Sequence, residues 1–256
     1  MNKFHFVFDK TKKAKVVKKI LFKKYKNYSP NVANIIIIAG GDGFMLHNLK
    51  KYYNFEKPFY GINCGTFGFL LNKFSFNSLE KKIINFKKIT INPLKITSID
   101  TNNKKKTCIA INEISLFRQS KQAANLRLKI GKKIIIKKLI GDGVLVATPA
   151  GSTAYNLSIS GPILSLNSGK LAVTPISPFR PRRWKGKIVS NLSKIKIINL
   201  NPNKRPVAAV ADNLEIRNIK SIAVQTNKKI RLYLLYDNEN TLIKRIKLEQ
   251  LRRKFD

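Results

Sequence analysis

Histidine, cysteine and acidic residues are scarce in this chain of 256 residues, which has two His, two Cys, and 13 Asp and Glu against 51 Lys and Arg. The histidines (His5, His47) and the cysteines (Cys64, Cys108) lie apart and show no CxxC spacing, so a structural zinc site lacks ligands and a disulfide framework is excluded. With so few histidines no Ser-His-Asp or Cys-His set is evident. No apolar run reaches the roughly 18 residues that a membrane span requires, and Met1 to Phe8 holds only a short strand-like stretch rather than a signal-peptide core. The chain therefore reads as soluble and cytoplasmic, with no membrane partner. Internal repeats and Gly/Ser-rich linkers are also missing.

What is abundant is apolar and basic. A hydrophobic fraction of 43% is enough to build a real core at this length. The formal charge of +38 suggests a polyanion partner at first sight, because a basic surface attracts phosphates. The lysines, however, run along nearly the whole chain among Asn and Ile instead of gathering in one stripe. They fit a compositional bias at tolerant surface positions that helps anionic substrates as a side effect.

The N-terminal third alternates in character. Lys3 to Phe8 reads as a strand, Thr11 to Tyr25 as a basic amphipathic helix, and Ile35 to Ala39 as a fully buried parallel strand. Phe44 to Tyr53 reads as a helix, Pro58 to Asn63 as a strand and Ser78 to Lys88 as a helix. This rhythm predicts an α/β domain with a parallel sheet over residues 1–93. Beyond Pro93 the β-branched runs Ile96 to Asp100, Thr107 to Ile111, Leu126 to Ile130, Ile134 to Leu139 and Val144 to Ala147 predict strands, with turns at Asn102-Asn103 and Gly131-Lys132. Lys194 to Leu200, Val207 to Ala211, Ser221 to Val224 and Ile230 to Leu235 continue the pattern, giving a β-rich domain over 94–241. Leu242 to Phe255 reads as a charged helix, and residues 242–256 are expected to pack back on the first domain.

Four stretches carry chemistry. "IIIIAGGDGF" ends a buried strand in glycines, whose missing side chains let phosphates approach backbone N–H groups at a helix start. Asp42 has the wrong charge for phosphate binding, so it either caps the helix, positions Mg²⁺, or takes a proton from an attacking hydroxyl. "GINCGTFGFL" repeats the device at the same sheet edge, where ligands bind in open α/β sheets; by residue type Phe69 either stacks on a base or fills the core. "INEISLFRQ" places Asn112 and Glu113 in an apolar strand, which costs free energy without hydrogen bonds and so points to a ligand or to a structural network. In "GDGVLVATPAGSTAYNLSISGP", Gly141-Asp142-Gly143 opens a buried strand and Pro149-Ala150-Gly151 makes a turn. Ser152 is placed to cap a short helix from Thr153, whose small residues with Tyr155 and Ser158 form a wall for a flat ring.

In this order and spacing, the Gly-Gly-Asp-Gly loop, the Asn-Glu pair and Thr-Pro-Ala-Gly-Ser-Thr-Ala-Tyr resemble the NAD kinase family. The resemblance implies transfer of the γ-phosphoryl group of ATP, with Mg²⁺ as divalent cation, to the 2′-hydroxyl of the adenosine ribose of NAD. It makes Asp42 the general base, Gly41 and Gly43 phosphate holders, and Phe69 the aromatic near the adenine. Asn112 and Glu113 would hold ribose and nicotinamide-side groups, Asp142 would contact the nicotinamide end, and Thr153, Ala154, Tyr155, Asn156 and Ser158 would form the adenosine-binding helix. NAD and ATP are the implied partners, the cation arrives with the nucleotide rather than in a protein metal site, and a homodimer or homotetramer is implied. Three departures stand out: Phe44 where a Thr commonly follows Gly-Asp-Gly, Ile140 where a basic residue is common, and "PISPFRPRRW", which has Arg180, Arg182 and Arg183 in place of a histidine-containing sequence. Those arginines, or Lys137 and Lys138, are expected to substitute in phosphate contacts. Two rivals compete. Lipid kinases share the glycine loop, but the Asn-Glu and Thr-Ala-Tyr motifs and the lack of an apolar docking segment argue against one. A nucleic-acid-binding protein should show focused basic residues with stacking aromatics.

Overall fold

The computed structural model describes residues 2–66, 68–75, 79 and 86–237. Contacts divide it into two units, one built on Met1–Ile91 with the segment returning at Ile230, the other on Asn92–Lys229.

The first unit opens with β1 (Phe4–Phe8), α1 (Lys12–Lys24), β2 (Ile35–Gly40), α2 (Asp42–Tyr52) and β3 (Phe59–Asn63), followed by the short β4 (Asn72–Lys73) and by β5 (Phe86–Ile91). Thr11 starts α1 by accepting from Ala14 N at 3.3 Å, and Ala14, Val17 and Leu21 form its buried stripe. Lys23 and Lys24 lie in the last turn, where they favour the negative end of the helix dipole. All six residues of β2 are buried, as a strand with parallel neighbours on both sides requires. Of the helix read over Ser78 to Lys88, Leu79 is helical, Phe86 to Lys88 belong to β5, and the rest lies outside the described residues, as does the terminal helix read over 242–255.

The second unit contains β6 (Leu94–Asp100), β7 (Lys105–Ala110), β8 (Glu113–Arg118), β9 (Ala124–Ile130), β10 (Lys133–Gly141), β11 (Gly143–Ala147), the one-turn helix α3 (Tyr155–Ser158), β12 (Lys170–Ile176), β13 (Lys187–Ser190), β14 (Ile195–Asn199), β15 (Val207–Ala211), β16 (Leu214–Ile216) and β17 (Ile219–Thr226). They form two six-stranded sheets, ordered β10-β9-β14-β17-β6-β7 and β13-β12-β11-β8-β15-β16, with antiparallel pairing throughout both. Alternate residues of both sheets, among them Ile96, Ile114, Leu116, Leu128, Val146 and Ile197, share one buried core. Strand alternation therefore sends Glu113, Ser115 and Phe117 to the opposite face of β8. β12 escapes the sequence reading because it contains Pro175, which disfavours a strand assignment. Pro175 lies past Val173, the last residue that β12 pairs with β13, and a proline is tolerated there.

The chain then returns to the first unit. The sequence reading puts Ile230 to Leu235 in the β-rich region, whereas β18 (Leu232–Asp237) pairs parallel with β3 and antiparallel with β5, completing the order β1-β2-β3-β18-β5. The fully buried Asn72 fastens it, donating to Leu235 O at 2.8 Å and accepting from Asp237 N at 3.0 Å, and Tyr60 donates to Asp237 at 2.9 Å. Alternation within a strand cannot encode which sheet receives it. A pair of side-chain bonds spanning some 165 residues can.

Candidate active site

Within the first unit, β2 and β3 end side by side with Gly40 opposite Asn63, so both glycine-rich loops leave the same edge. Cys64 N donates to Gly40 O at 2.8 Å, which ties the second loop to the first. The helix N-cap is Gly41, with no side-chain cap bond, and α2 begins at Asp42, two residues before the start read from sequence. The Asp42 carboxylate does not cap its own helix. It reaches across to the other loop, accepting from Phe69 N at 2.7 Å on Oδ2 and from Leu70 N at 3.1 Å on Oδ1. These two bonds fix the orientation of the carboxylate.

The glycines of the first loop differ in what the fold asks of them. A Cβ on Gly40 would lie 2.6 Å from the ring of Phe44, the residue that stands where threonine is expected, so a larger residue at 40 requires that ring to shift. A Cβ on Gly41 or Gly43 would meet nothing within 4 Å, and neither residue has a left-handed φ. Nothing in the chain's own packing explains glycine at these two positions. Phe69 is half-buried.

Within the second unit, the outward face of β8 and its partner β15 forms the floor of a pocket of about 520 Å³, with Ser115 opposite Val210 and Phe117 opposite Ala208. Glu113, Tyr155, Arg118 and Asp212 line its polar side. Glu113 Oε2 and the neighbouring Asn112 Oδ1 are sealed from solvent and have no hydrogen-bond partner among the described residues. Burial, with the Asp212 charge adding to it, pushes the Glu113 carboxyl up to about 8. It is thus a neutral acid near pH 7, able to donate as well as accept. Burial and then the Asp142 charge raise the Tyr155 hydroxyl as well. Asp142 is held by Arg118, Nε to Oδ1 at 2.5 Å, while Arg118 Nη1 donates to Ser120 O at 2.8 Å.

The turn at 149–151 is docked on the Asn-Glu segment. Thr148 N donates to Asn112 O at 2.8 Å, and a Cβ on Gly151 would stand 2.2 Å from that same carbonyl, so only glycine fits. Ser152 does not cap a helix as expected. Its hydroxyl bridges Pro149 O at 2.7 Å and Leu164 N at 3.0 Å, and a 3-10 turn over Gly151–Thr153 precedes α3. Among the residues read for the adenosine-binding helix, Tyr155 reaches the pocket, Thr153 is buried, Ala154 is half-buried and Ser158 is exposed. Asn156 serves the fold: fully buried, it donates to Ser152 O and Pro162 O and accepts from Thr174 Oγ1 at 2.7 Å. The sequence reading misses Arg118, Ser115, Phe117 and Asp212. Ser115 and Phe117 follow from period-two alternation counted from Glu113 along "INEISLFR"; Arg118 is out of phase with it, and Asp212, about 100 residues away, carries no local signal.

A family model described as the ATP-NAD kinase C-terminal domain matches residues 111–241. The chain is 43% identical over 253 residues to an NAD kinase of Zymomonas mobilis subsp. mobilis, covering 98% of both chains, and 42% identical over 250 residues to one of Rickettsia rickettsii, again covering 98% of both. Among solved structures, yeast NADH kinase complexed with NADH superposes with a TM-score of 0.74 at 28% identity, over 84% of this chain and 65% of that one. An NAD kinase from Archaeoglobus fulgidus in complex with ATP gives 0.72 at 22% identity, over 93% and 94%, a likeness of fold.

Proposed function

This chain belongs to the NAD kinase family, an enzyme family, and from that premise we propose how its own residues carry the reaction. The acceptor is the 2′-hydroxyl of the adenosine ribose of NAD and the donor is ATP. Asp42 accepts the hydroxyl proton as the oxygen bonds to the γ-phosphorus, and the bond from that phosphorus to the bridging oxygen breaks, releasing ADP and NADP. Gly41 and Gly43 offer bare backbone at a helix N-terminus to the donor phosphates. Glu113 and Asn112 meet sugar hydroxyls, Asp142 and Tyr155 flank the dinucleotide, and Phe69 stands by the adenine. The observation that supports this reading most directly is the pair of sealed, unpartnered oxygens on Asn112 and Glu113 beside a pocket large enough for a nucleoside.

Among the described residues no cluster of three or more His, Cys, Asp or Glu forms a cation cage. The divalent cation would arrive with the donor as MgATP and offset negative charge on the phosphoryl oxygens. Also among the described residues, no helix is long and apolar enough to cross a membrane. The relatives do not favour the lipid-kinase and nucleic-acid readings. A homodimer or homotetramer is the expected assembly, to be read by sedimentation.

The assignment is tested by mixing the purified chain with MgATP and NAD and detecting NADP with an NADP-specific dehydrogenase; no NADP under these conditions rejects it. The glycines give a sharper test. Gly43 is the second residue of α2, where alanine favours a helix by up to about 1 kcal/mol. Gly43→Ala is expected to melt at the same or a slightly higher temperature while the KM for ATP rises at least tenfold. An unchanged KM would show that this position owes nothing to a phosphate.

A further inference from the structure

The ladder between β8 and β15 begins at Ile114, paired with Ala211, so the amides of Ile111, Asn112 and Glu113 lie beyond it. All three donate instead to one carboxylate. Ile111 N reaches Asp212 Oδ2 at 2.8 Å, and Asn112 N and Glu113 N reach Oδ1 at 2.9 and 3.3 Å. Asp212 N returns a bond to Glu113 O at 3.1 Å. Asp212 occupies the connection between β15 and β16 with φ +52, a left-handed conformation that short polar residues tolerate and β-branched ones do not. Both ends of this clamp are thus specified, the acceptor by its charge and its backbone by its side-chain type.

We propose that Asp212 is a positioning residue for dinucleotide binding: its carboxylate fixes the backbone of Ile111, Asn112 and Glu113 and thereby sets for the ligand the side chains of Asn112 and Glu113, whose Oδ1 and Oε2 have no partner among the described residues. The proposal rests on the reading of the pocket as the NAD site. Neither asparagine nor serine can take its place. Asparagine would turn an N–H toward a backbone N–H, and serine has one oxygen for three donors.

The clamp has a second consequence. The other titratable or charged groups lining the pocket with Glu113 are Tyr155, Asp212, Glu215, Arg217 and Arg118, which is paired with Asp142. Of these neighbours, Asp212 supplies the negative charge that disfavours ionisation of Glu113, on top of burial. Neutral Glu113 can both donate to and accept from a sugar diol; ionised, it only accepts, and it sets a negative charge against an anionic ligand. Binding of NAD should therefore weaken above about pH 8, and Asp212→Asn should move that limb to lower pH.

The test compares wild type, Asp212→Asn and Glu113→Gln as full chains between pH 6 and 9, reading KM for NAD, kcat, and NAD binding by calorimetry. Asp212→Asn is expected to raise the KM at least tenfold with kcat within threefold, and to lower the inflection by a pH unit or more; Glu113→Gln is expected to lose the inflection. A folded Asp212→Asn protein with a KM within twofold of wild type overturns the proposal, and so does a KM raised by the same factor at every pH, which is what a merely structural lesion gives. If that variant does not melt cooperatively, Asp212→Glu replaces it, keeping the charge but displacing it: a raised KM with the inflection retained supports the proposal, and an unchanged KM overturns it. Calorimetry reads binding without turnover. A wild-type chain that makes no NADP therefore strikes the kinase reading, whereas an unmoved binding profile in the variant strikes this one.

Discussion

Asp42→Asn is expected to lower kcat for NADP formation by about 10²- to 10⁴-fold, the range that a positioned general base contributes, with the KM for NAD changed only a few-fold. A ribose hydroxyl is a poor nucleophile near neutral pH, and the amide that replaces the carboxylate cannot take its proton. The structure adds a second effect that must be separated from the first. Asp42 also holds the amides of Phe69 and Leu70, and asparagine has one oxygen for the two. Leaving one amide unpaired costs about 1–3 kcal/mol if it stays dry, so the variant should melt earlier. If the carboxylate only pins the loop, stability falls and kcat drops tenfold or less. Stopped assays below the variant's melting temperature, alongside calorimetric melts, distinguish the two.

The largest stability effect is expected at Glu113. Its folded-state carboxyl titrates at about 8 against an ordinary value of 4.5. Below pH 4.5 both folded and unfolded chains carry the proton. Between 4.5 and about 8 the unfolded chain loses it while the folded chain keeps it, so stability declines as pH rises, by about 1.4 kcal/mol per pH unit. Above 8 both states are ionised and the loss is complete. Glu113→Gln removes this titration. Relative to wild type the variant should therefore gain stability steadily from pH 5 to 8 and then level off, as read by urea unfolding at fixed temperature. Any packing defect of the glutamine is a constant offset without pH dependence. A difference that stays flat across the window would place Glu113 in contact with water or with a cation.

Gly151 and Asn156 illustrate how far residue types carry. Quoted in one stretch, "TPAGSTAYN" reads as a wall for a ligand, and the order of motifs is what marks the family. Which of those residues face outward was not legible, because α3 is a single turn and too short for a helical period. Tyr155 emerges at the pocket, while Asn156 turns inward and bonds to Ser152, Pro162 and Thr174. Gly161 is glycine for that reason, since a Cβ there would sit 2.2 Å from the Asn156 side chain. Arg118 is the opposite case. It lies within a stretch already marked as interesting, yet counting alternate positions from Glu113 reaches Ser115 and Phe117 and passes over it; its place at the pocket end of β8 comes from the structure.

Residue order alone determined the parallel strand of four isoleucines, the glycine turns after it, and the presence of an acid among them, because burial, backbone freedom and charge are properties of each residue and its near neighbours. Most strands of the second unit were legible for the same reason. Only the tertiary structure decided that β18 returns to the first sheet, that Asp42 reaches a second loop rather than its own helix end, and that Asp212 grips Ile111 to Glu113. Each of these depends on hydrogen bonds between residues 27 to 165 positions apart. Such bonds cost loop closure and return specificity, and no window of local sequence contains both partners.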